Sequence, residues 1–257
     1  MVTYSTSEHP RVHLSHCRFF MQHLLSGNLA LNVCRFVTGS WRHVLAVNGL
    51  ADNCLISTKT KERGYIFPIF VGTNENLSAE FRAFLDSHYE HHYTPEEVLG
   101  YIYAVLHAPT YRARYAEFLR IDFPRVSFPA SADDFETLST LGWALVQAHL
   151  LREVPRRELA IYHGKGDHKV EAVRYSSVNE AVSINKTQFF KPVPQAVWEF
   201  YIGGYQVLDK YLKSRKGRAL SLDEINHVSA VADSLAFTVE HMAKIDEAYR
   251  SAFSVRG

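Results

Sequence analysis

Apolar residues follow a strand-like pattern in the first third of the chain. Short apolar runs alternate with smaller or polar side chains over residues 28–38, 41–48 and 65–71, as they do in half-buried strands. Pro68 lies within the third run and indicates an edge strand or a bulge, because proline cannot donate to a strand ladder. Residues 14–25 have helical spacing, so this part predicts a small sheet with a helix leading in.

The middle of the chain changes to helical spacing. Thr94-Pro95-Glu96-Glu97 has the pattern of a capping box with proline at the first helical position, which predicts a helix start. We expect further helices from Ser78, after Pro109 and over residues 133–151. Residues 121–129 contain two prolines and are predicted to be extended.

Short β-like segments return after residues 152–158, where the composition changes. They cover residues 159–162, 169–175 and 181–184, and residues 198–218 then predict a strand, a turn and a helix. A second capping box, Ser221 to Glu224, opens a long final helix. Its apolar positions recur at steps of three and four: Ile225, Val228, Val231, Leu235, Val239, Met242, Ile245 and Tyr249.

These segments together predict a mixed α/β fold of the α+β class. It has a small N-terminal sheet, a central helical block, a second β-rich segment and a long C-terminal helix. Residues 1–13 show no periodicity and are expected to be a disordered lead-in. Residues 14–257 are expected to form one domain, with a division into two lobes near residues 152–158 left open.

Composition narrows the class of protein. Hydrophobic residues make up 47% and charged residues 21%, as in globular chains. The net charge is only +1, so any affinity for nucleic acid must come from local clusters of cations. Three cysteines without C-x-x-C spacing favour reduced thiols. With no apolar run long enough to span a bilayer, we expect a cytoplasmic protein without a membrane partner.

Two local clusters of cations suit contact with phosphate. Residues 57–64 interleave hydroxyls with Lys59, Lys61 and Arg63. Residues 210–218 carry five basic residues directly after an aromatic run and a Gly-Gly pair. Both patterns are also typical of solvated surface segments, a hairpin connection in the first case and a helix with its turn in the second.

Candidate chemistry is otherwise sparse. His88, Glu90, His91 and His92 resemble metal ligands, but no third ligand has a recognisable spacing, so no metal or other cofactor is expected. The residues Gly164-Lys165-Gly166-Asp167-His168 lack the pattern of a phosphate-binding P-loop and are interpreted as a turn. The chain has no nucleophile elbow, Walker loop or dinucleotide-binding glycine motif. No catalytic residue is predicted.

Three stretches resemble the C-terminal specificity domain of Type ISP restriction-modification enzymes, the LlaBIII-like family. The first is HLLSGNLAL at residues 23–31, with YIFP at 65–68. The second runs from YIYAVLHAPTYR at residues 101–112 through RYAEFL at 114–119 to IDFPR at 121–125. The third runs from VWEF at residues 197–200 through GGYQVL at 203–208 to RKGR at 215–218.

The resemblance implies sequence-specific recognition of double-stranded DNA. Proteins of this family join a nuclease, an ATP-driven translocase and an adenine methyltransferase to such a domain. This chain lacks the Asn-Pro-Pro-Tyr methyltransferase motif and the Walker motif. It is therefore expected to be the recognition part, with methyltransferase and translocase domains supplied in cis or in trans. A separate subunit, a gene remnant and an excised fragment all remain open.

Methylation of an adenine in a duplex requires base flipping, so we expect one set of residues to grip the backbone and another to read bases. The predicted backbone contacts are Lys59, Lys61, Arg63, Lys213, Arg215, Lys216 and Arg218. The predicted base-reading residues are Arg112, Arg114, Asn185, Lys186 and Gln188. The alternative function is a protein-interaction module that docks a methyltransferase or helicase partner through the C-terminal helix.

Overall fold

The chain divides into two compact units. The first comprises Met1–Val146 and Ala243–Gly257, and the second comprises Gln147–Met242. The computed structural model describes residues 22–25, 27–59 and 61–254. The predicted lead-in over residues 1–13 and most of the predicted helix over residues 14–25 lie outside the described residues. The division into lobes near residues 152–158 stays a prediction.

A three-stranded antiparallel sheet forms the start of the first unit. Its strands are β1 (Ala30–Cys34), β2 (Val44–Val47) and β3 (Gly64–Pro68), in the order β2-β1-β3. All residues of β1 are buried, as expected for a central strand. Pro68 lies on the edge strand β3, which confirms the expectation drawn from its missing N–H. A short hairpin of β4 (Phe70–Val71) and β5 (Asn74–Glu75) follows.

Helices make up the rest of the first unit. They are α1 (Ala79–Tyr89), α2 (Pro95–His107), α3 (Pro109–Arg114), α4 (Ala116–Leu119) and α5 (Ala132–His149), of which α5 continues into the second unit. The Ser78 side chain caps α1, and Thr94 and Glu97 form the predicted capping box of α2. Residues 121–129 contain no helix, as their two prolines predicted, and Ile121 and Asp122 still belong to the turn that follows α4.

Helices α2 and α5 pack at very close range through two glycines. A β-carbon added at Gly142 would lie 1.8 Å from the carbonyl oxygen of Gly100. The Ser139 hydroxyl donates to the Glu97 carbonyl oxygen at 2.7 Å across the same contact. No side chain fits at this crossing, so the two helices approach backbone to backbone.

The second unit contains a four-stranded antiparallel sheet. Strands β6 (Ile161–His163), β7 (Arg174–Ser176), β8 (Ala181–Ser183) and β9 (Phe189–Lys191) pair in the order β6-β9-β8-β7. Strand β9 was not predicted, because the polar run before it and Pro192 after it obscure a strand of only three residues. The predicted strand over residues 169–175 is wrong over residues 169–173, where only Lys169 makes an isolated bridge, to Ala219, and the strand itself begins at Arg174.

The second unit ends with a tight hairpin and two main helices. Helix α6 (Gln195–Trp198) leads into the hairpin of β10 (Tyr201–Ile202) and β11 (Tyr205–Gln206), and α7 (Val207–Lys213) follows it directly. Helix α8 (Leu222–Ala252) begins at the predicted second capping box and continues into the first unit. The fold is therefore mixed α+β, as predicted. Within the residues described, no helix is long and apolar enough to cross a membrane.

The predicted apolar stripe of α8 is mostly buried inside the chain. In the second unit, Ile225, Val228 and Leu235 belong to a core cluster with residues of the four-stranded sheet. In the first unit, Ile245 and Tyr249 are buried, and the Tyr249 ring packs edge-on against Tyr111. Val239, at 36% exposure, is the member of the stripe that most faces solvent. The stripe therefore stabilises the core of each unit.

Candidate nucleic-acid interface

Cations of the second unit lie on three loops that the backbone joins together. These loops comprise residues 164–169, 185–188 and 214–219, and we call them the three-loop surface. Their exposed basic side chains are Lys165, His168, Lys169, Lys186, Lys216 and Arg218. Two of the three loops contain predicted contact residues, while the first was interpreted only as a turn.

Backbone hydrogen bonds hold the first loop against the third. The Val170 N–H donates to the Arg218 carbonyl at 3.0 Å, and the Gly217 N–H donates to the Val170 carbonyl at 2.8 Å. The Leu220 N–H donates to the His168 carbonyl at 2.9 Å. Since these bonds lie on both sides of Lys169 and Arg218, the two loops are fixed in register as a short ladder.

The second loop is fixed to the first by side-chain amides. The Asn185 Nδ2 donates to the Lys169 carbonyl at 3.0 Å, and the His168 N–H donates to Gln188 Oε1 at 3.0 Å. The Asn185 Oδ1 accepts from the N–H groups of Thr187 and Gln188 at 3.0 and 2.8 Å. Asn185 and Gln188 therefore act within the loops, and Lys186 is the predicted base-reading residue here that faces solvent.

Ion pairs hold two of the predicted backbone-binding residues, Arg215 and Arg218, at the start of α8. The Arg215 Nε and the Arg218 Nη1 each donate to Glu224 at 2.8 Å. The hydrogen bond from Arg218, with help from the Ser221 N–H, holds the pKa of Glu224 far below its usual range. Arg215 also stacks on the Tyr211 ring, 3.4 Å from its centroid. Glu224 thus offsets part of the positive charge at this edge.

The other two predicted backbone-binding cations of residues 213–218, Lys213 and Lys216, differ in whether an acidic side chain pairs with them. The Lys213 ammonium lies 2.8 Å from the Asp209 carboxylate one helical turn earlier. Lys216 is exposed, and no acidic side chain within the described residues pairs with it. Lys216 is therefore the member of this group that is best placed to bind an external phosphate.

In the first unit, Lys59, Lys61 and Arg63 lie on a loop that is organised by a buried carboxylate. Glu62 is 0% exposed, although both of its neighbours face solvent. Its Oε1 accepts from the N–H and the hydroxyl of Thr38 at 2.7 and 2.6 Å. The side chain thus turns inward and leaves the adjacent cations outside.

Glu62 is ionised in this environment. Burial alone would raise its pKa, but the hydrogen bonds from Ser57 and Thr38 outweigh burial and lower the pKa to about 2. The ring of His43 lies 3.3 Å from Glu62 Oε2, and burial lowers the pKa of His43 below its usual value. A buried carboxylate with this many donors fixes the conformation of the loop that carries it.

The structure leaves Arg112 only partly exposed on the first unit. Its Nε donates to the Leu106 carbonyl at 2.6 Å, and its guanidinium lies 5.7 Å from the Trp41 ring centroid. Burial, reinforced by the charge of Arg42, lowers the pKa of Arg112 to about 10. This placement does not present Arg112 to a base, whereas Arg114 is exposed. Base reading by either arginine stays a prediction.

The histidines that resemble metal ligands have other partners. The His88 Nε2 lies 3.0 Å from the Pro129 carbonyl, and the His92 Nδ1 lies 3.0 Å from Asp86 Oδ2. Among the residues that the structure describes, no three His, Cys, Asp or Glu side chains come close enough to hold a metal ion.

Sequence reasoning missed Lys165, His168 and Lys169, although a signal was present. Gly164 and Gly166 flank Lys165, and the two glycines allow the loop to approach residues 187 and 188. A Gly-x-Gly turn indicates that the backbone of the turn comes close to another segment of the chain. The sequence does not identify which segment that is.

Comparison with solved structures relates the fold to DNA-bound restriction enzymes. The chain is similar to a nuclease-deletion mutant of the Type ISP restriction-modification enzyme LlaGI in complex with a DNA substrate mimic (16% identity, TM-score 0.62). It is also similar to the DrdV–DNA complex (20%, 0.67) and to the ATP-dependent Type ISP enzyme LlaBIII bound to DNA (15%, 0.64). At these identities the likeness shows the fold.

The matched region is a small part of those enzymes. Each alignment covers 86% of this chain but only 17%, 24% and 16% of LlaGI, DrdV and LlaBIII, respectively. No curated protein matches the chain. A family model of the Type ISP C-terminal specificity domain matches residues 3–244. The chain therefore belongs to the family of Type ISP C-terminal specificity domains.

Proposed function

We propose that this chain recognises double-stranded DNA for a restriction-modification system. In this proposal it positions the duplex for an adenine methyltransferase and a translocase carried on other domains or another chain. It performs no catalysis of its own. The observation that carries the proposal is the three-loop surface, where three separate segments bring exposed cations together on a rigid backbone.

The charge distribution supports binding to a phosphate backbone. Because the net charge of the chain is only +1, phosphate affinity requires a local concentration of cations. Lys169 and Lys216 lie on the two loops of the ladder, are exposed, and pair with no acidic side chain in the described part of the chain. We assign these two lysines to phosphate contacts.

Lys59, Lys61 and Arg63 are the proposed phosphate contacts of the first unit. Lys61 and Arg63 are exposed on either side of the buried Glu62, and Lys59 donates to the Thr38 hydroxyl at 3.1 Å. A loop fixed before binding loses little conformational entropy when it meets the backbone of a duplex.

The alternative, docking of a partner through α8, has weaker support. Its predicted contact stripe is largely buried in the cores of the two units. A helix cannot offer the same apolar side chains to another protein without unfolding that core.

Removal of two phosphate-binding charges tests the proposal. We expect the double substitution Lys169→Ala/Lys216→Ala to weaken binding to a random duplex about tenfold or more at low salt. The matched control is Arg156→Ala/Lys244→Ala, which removes two exposed cations outside the three-loop surface. Fluorescence anisotropy of the purified chains measures both. Equal loss of affinity in the two double variants would contradict the assignment of this surface.

A further inference from the structure

Two loops of the three-loop surface touch at their tips. A β-carbon at Gly164 would lie 2.0 Å from the Thr187 carbonyl oxygen, and the φ of Gly164 is +97°. A β-carbon at Gly166 would lie 2.8 Å from Gln188 Oε1. The Gly164 contact requires glycine, because its neighbour is backbone and its φ is positive, so the loop of residues 164–168 and the loop of residues 185–188 are held close together.

A buried amide connects the two loops from below. Gln188 is 0% exposed, and its Oε1 accepts from the His168 N–H at 3.0 Å and from Asn185 Nδ2 at 2.9 Å. Buried hydrogen bonds with satisfied partners fix a unique arrangement of the groups they join. Gln188 is thus a positioning residue for the two loops that carry Lys165 and Lys186.

Lys165 and Lys186 stand outward from this support. Both are exposed, and neither pairs with an acidic side chain in the described ranges. The Thr187 hydroxyl donates to the Lys165 carbonyl at 3.3 Å, which ties the backbone of one lysine to the residue beside the other. The two ammonium groups therefore project from neighbouring, mutually fixed backbones.

Base reading requires more exact support than phosphate contact does. A lysine on a flexible stem can reach a phosphate from almost any surface loop. Discrimination between base edges requires donors that are held close to one geometry. Lysine donors match the O6 and N7 acceptors that guanine presents in the major groove.

We propose that the loops of residues 164–168 and 185–188 form one base-reading edge that selects guanine through Lys165 and Lys186. This inference rests on the proposed function and adds the chemistry of the recognised site. Gln188 acts through the loops and does not touch the base.

Selection from a random duplex library identifies the preferred site, and 7-deazaguanine then tests the contact. This analogue keeps the base pair but lacks N7. We expect its substitution at a preferred guanine to weaken binding of the unmodified chain roughly 5- to 150-fold. Each alanine variant, Lys186→Ala or Lys165→Ala, lacks one of the two lysines. In that variant, 7-deazaguanine at the guanine read by the missing lysine is expected to weaken binding no further. Lys186→Arg retains the preference, because arginine also donates to O6 and N7.

The outcomes separate this inference from the proposed function. Binding without any preferred guanine, or a preferred site unchanged in both alanine variants, would overturn base reading while DNA binding stands. Absence of binding to any duplex would overturn both. Gln188→Ala is expected to relax the preference at the guanines of both lysines with little change in affinity for random duplex, a pattern that loss of a phosphate contact would not produce.

Discussion

The Ser57 hydroxyl donates a 2.6 Å hydrogen bond to the Glu62 carboxylate inside the first unit. Thr38 supplies two further donors to the same carboxylate, so the loop of residues 57–63 is tied to the segment after β1. The loop resembles a solvated connection in sequence, but its central acid is an anchor. Lys61 and Arg63 are exposed on either side of this anchor.

Loss of the Glu62 anchor is expected to destabilise the fold. The substitution Glu62→Ala leaves the buried Ser57 hydroxyl without an acceptor, at a cost of about 1–3 kcal/mol, and it also removes the acceptor of the exposed Thr38. Urea unfolding of both chains measures the difference in the free energy of unfolding. Glu117→Ala is the control, because its carboxylate is exposed and its effect is expected to stay within about 0.5 kcal/mol. Equal stability of the two variants would show that Glu62 is no anchor.

The same carboxylate predicts a pH dependence of stability. The folded-state pKa of Glu62 is about 2, below its usual value of 4.5, so the unfolded chain binds the proton more readily. Its contribution is therefore complete above pH 4.5 and is lost as the pH falls toward 2, at up to about 1.4 kcal/mol per pH unit. Urea unfolding from pH 7 to 3 should give a smaller loss in Glu62→Gln than in the unmodified chain. Parallel curves would contradict the lowered pKa.

The crossing of α2 and α5 predicts an effect opposite to helix propensity. Alanine is favoured over glycine within a helix by up to about 1 kcal/mol. At Gly142, however, the new methyl group would overlap the Gly100 carbonyl, so Gly142→Ala is expected to destabilise by about 3 kcal/mol or more, or to prevent folding. Thermal unfolding compares it with Thr137→Ala, an exposed position on α5. A stabilised Gly142→Ala variant would rule out this helix contact.

Glu224 separates stability from DNA affinity. In Glu224→Gln the capping box keeps a side-chain acceptor, but Arg215 and Arg218 lose their acidic partner. We expect stability to fall by no more than about 1 kcal/mol with the loss of these ion pairs, and affinity for duplex DNA to rise severalfold at low salt, because two cations are released. Asp223→Asn is the control, because it removes one negative charge from the adjacent, exposed residue. If only stability changes, Arg215 and Arg218 serve α8 and do not contact phosphate.

Structural features that depend on residues close in sequence could be predicted. Features that depend on contacts between residues far apart in sequence could not. The box at Thr94 and Glu97 involves residues three apart, so its pattern is visible in the sequence. Arg112 is partly buried. It lies against the Trp41 ring, 71 residues earlier in the sequence, and it donates to the Leu106 carbonyl near the end of α2. The Glu62 side chain turns inward between two exposed cations and bonds to Thr38. The hydrophobic periodicity of the sequence does not predict this orientation.

The candidate site shows the same limit. Lys186 and Lys216 were recognised from residue type, since cations beside polar or aromatic runs are typical of nucleic-acid contacts. The Gln188 side chain has donors and an acceptor that could read a base. It is buried, however, and it accepts a hydrogen bond from the His168 N–H, twenty residues earlier. Residue type thus identifies the chemistry available to a loop, while tertiary contacts decide which members of the loop present it.

The salt dependence of binding to duplex DNA tests the central claim most directly. Anisotropy of the purified chain with a random duplex, measured over a range of salt concentrations, gives the slope of log affinity against log salt. Contacts from Lys169, Lys216, Lys61 and Arg63 predict a slope of about −3 to −4, at roughly −0.9 for each phosphate. Lys169→Ala/Lys216→Ala is expected to make it shallower by about 2. No binding at low salt, or affinity independent of salt, would contradict DNA recognition by these surfaces.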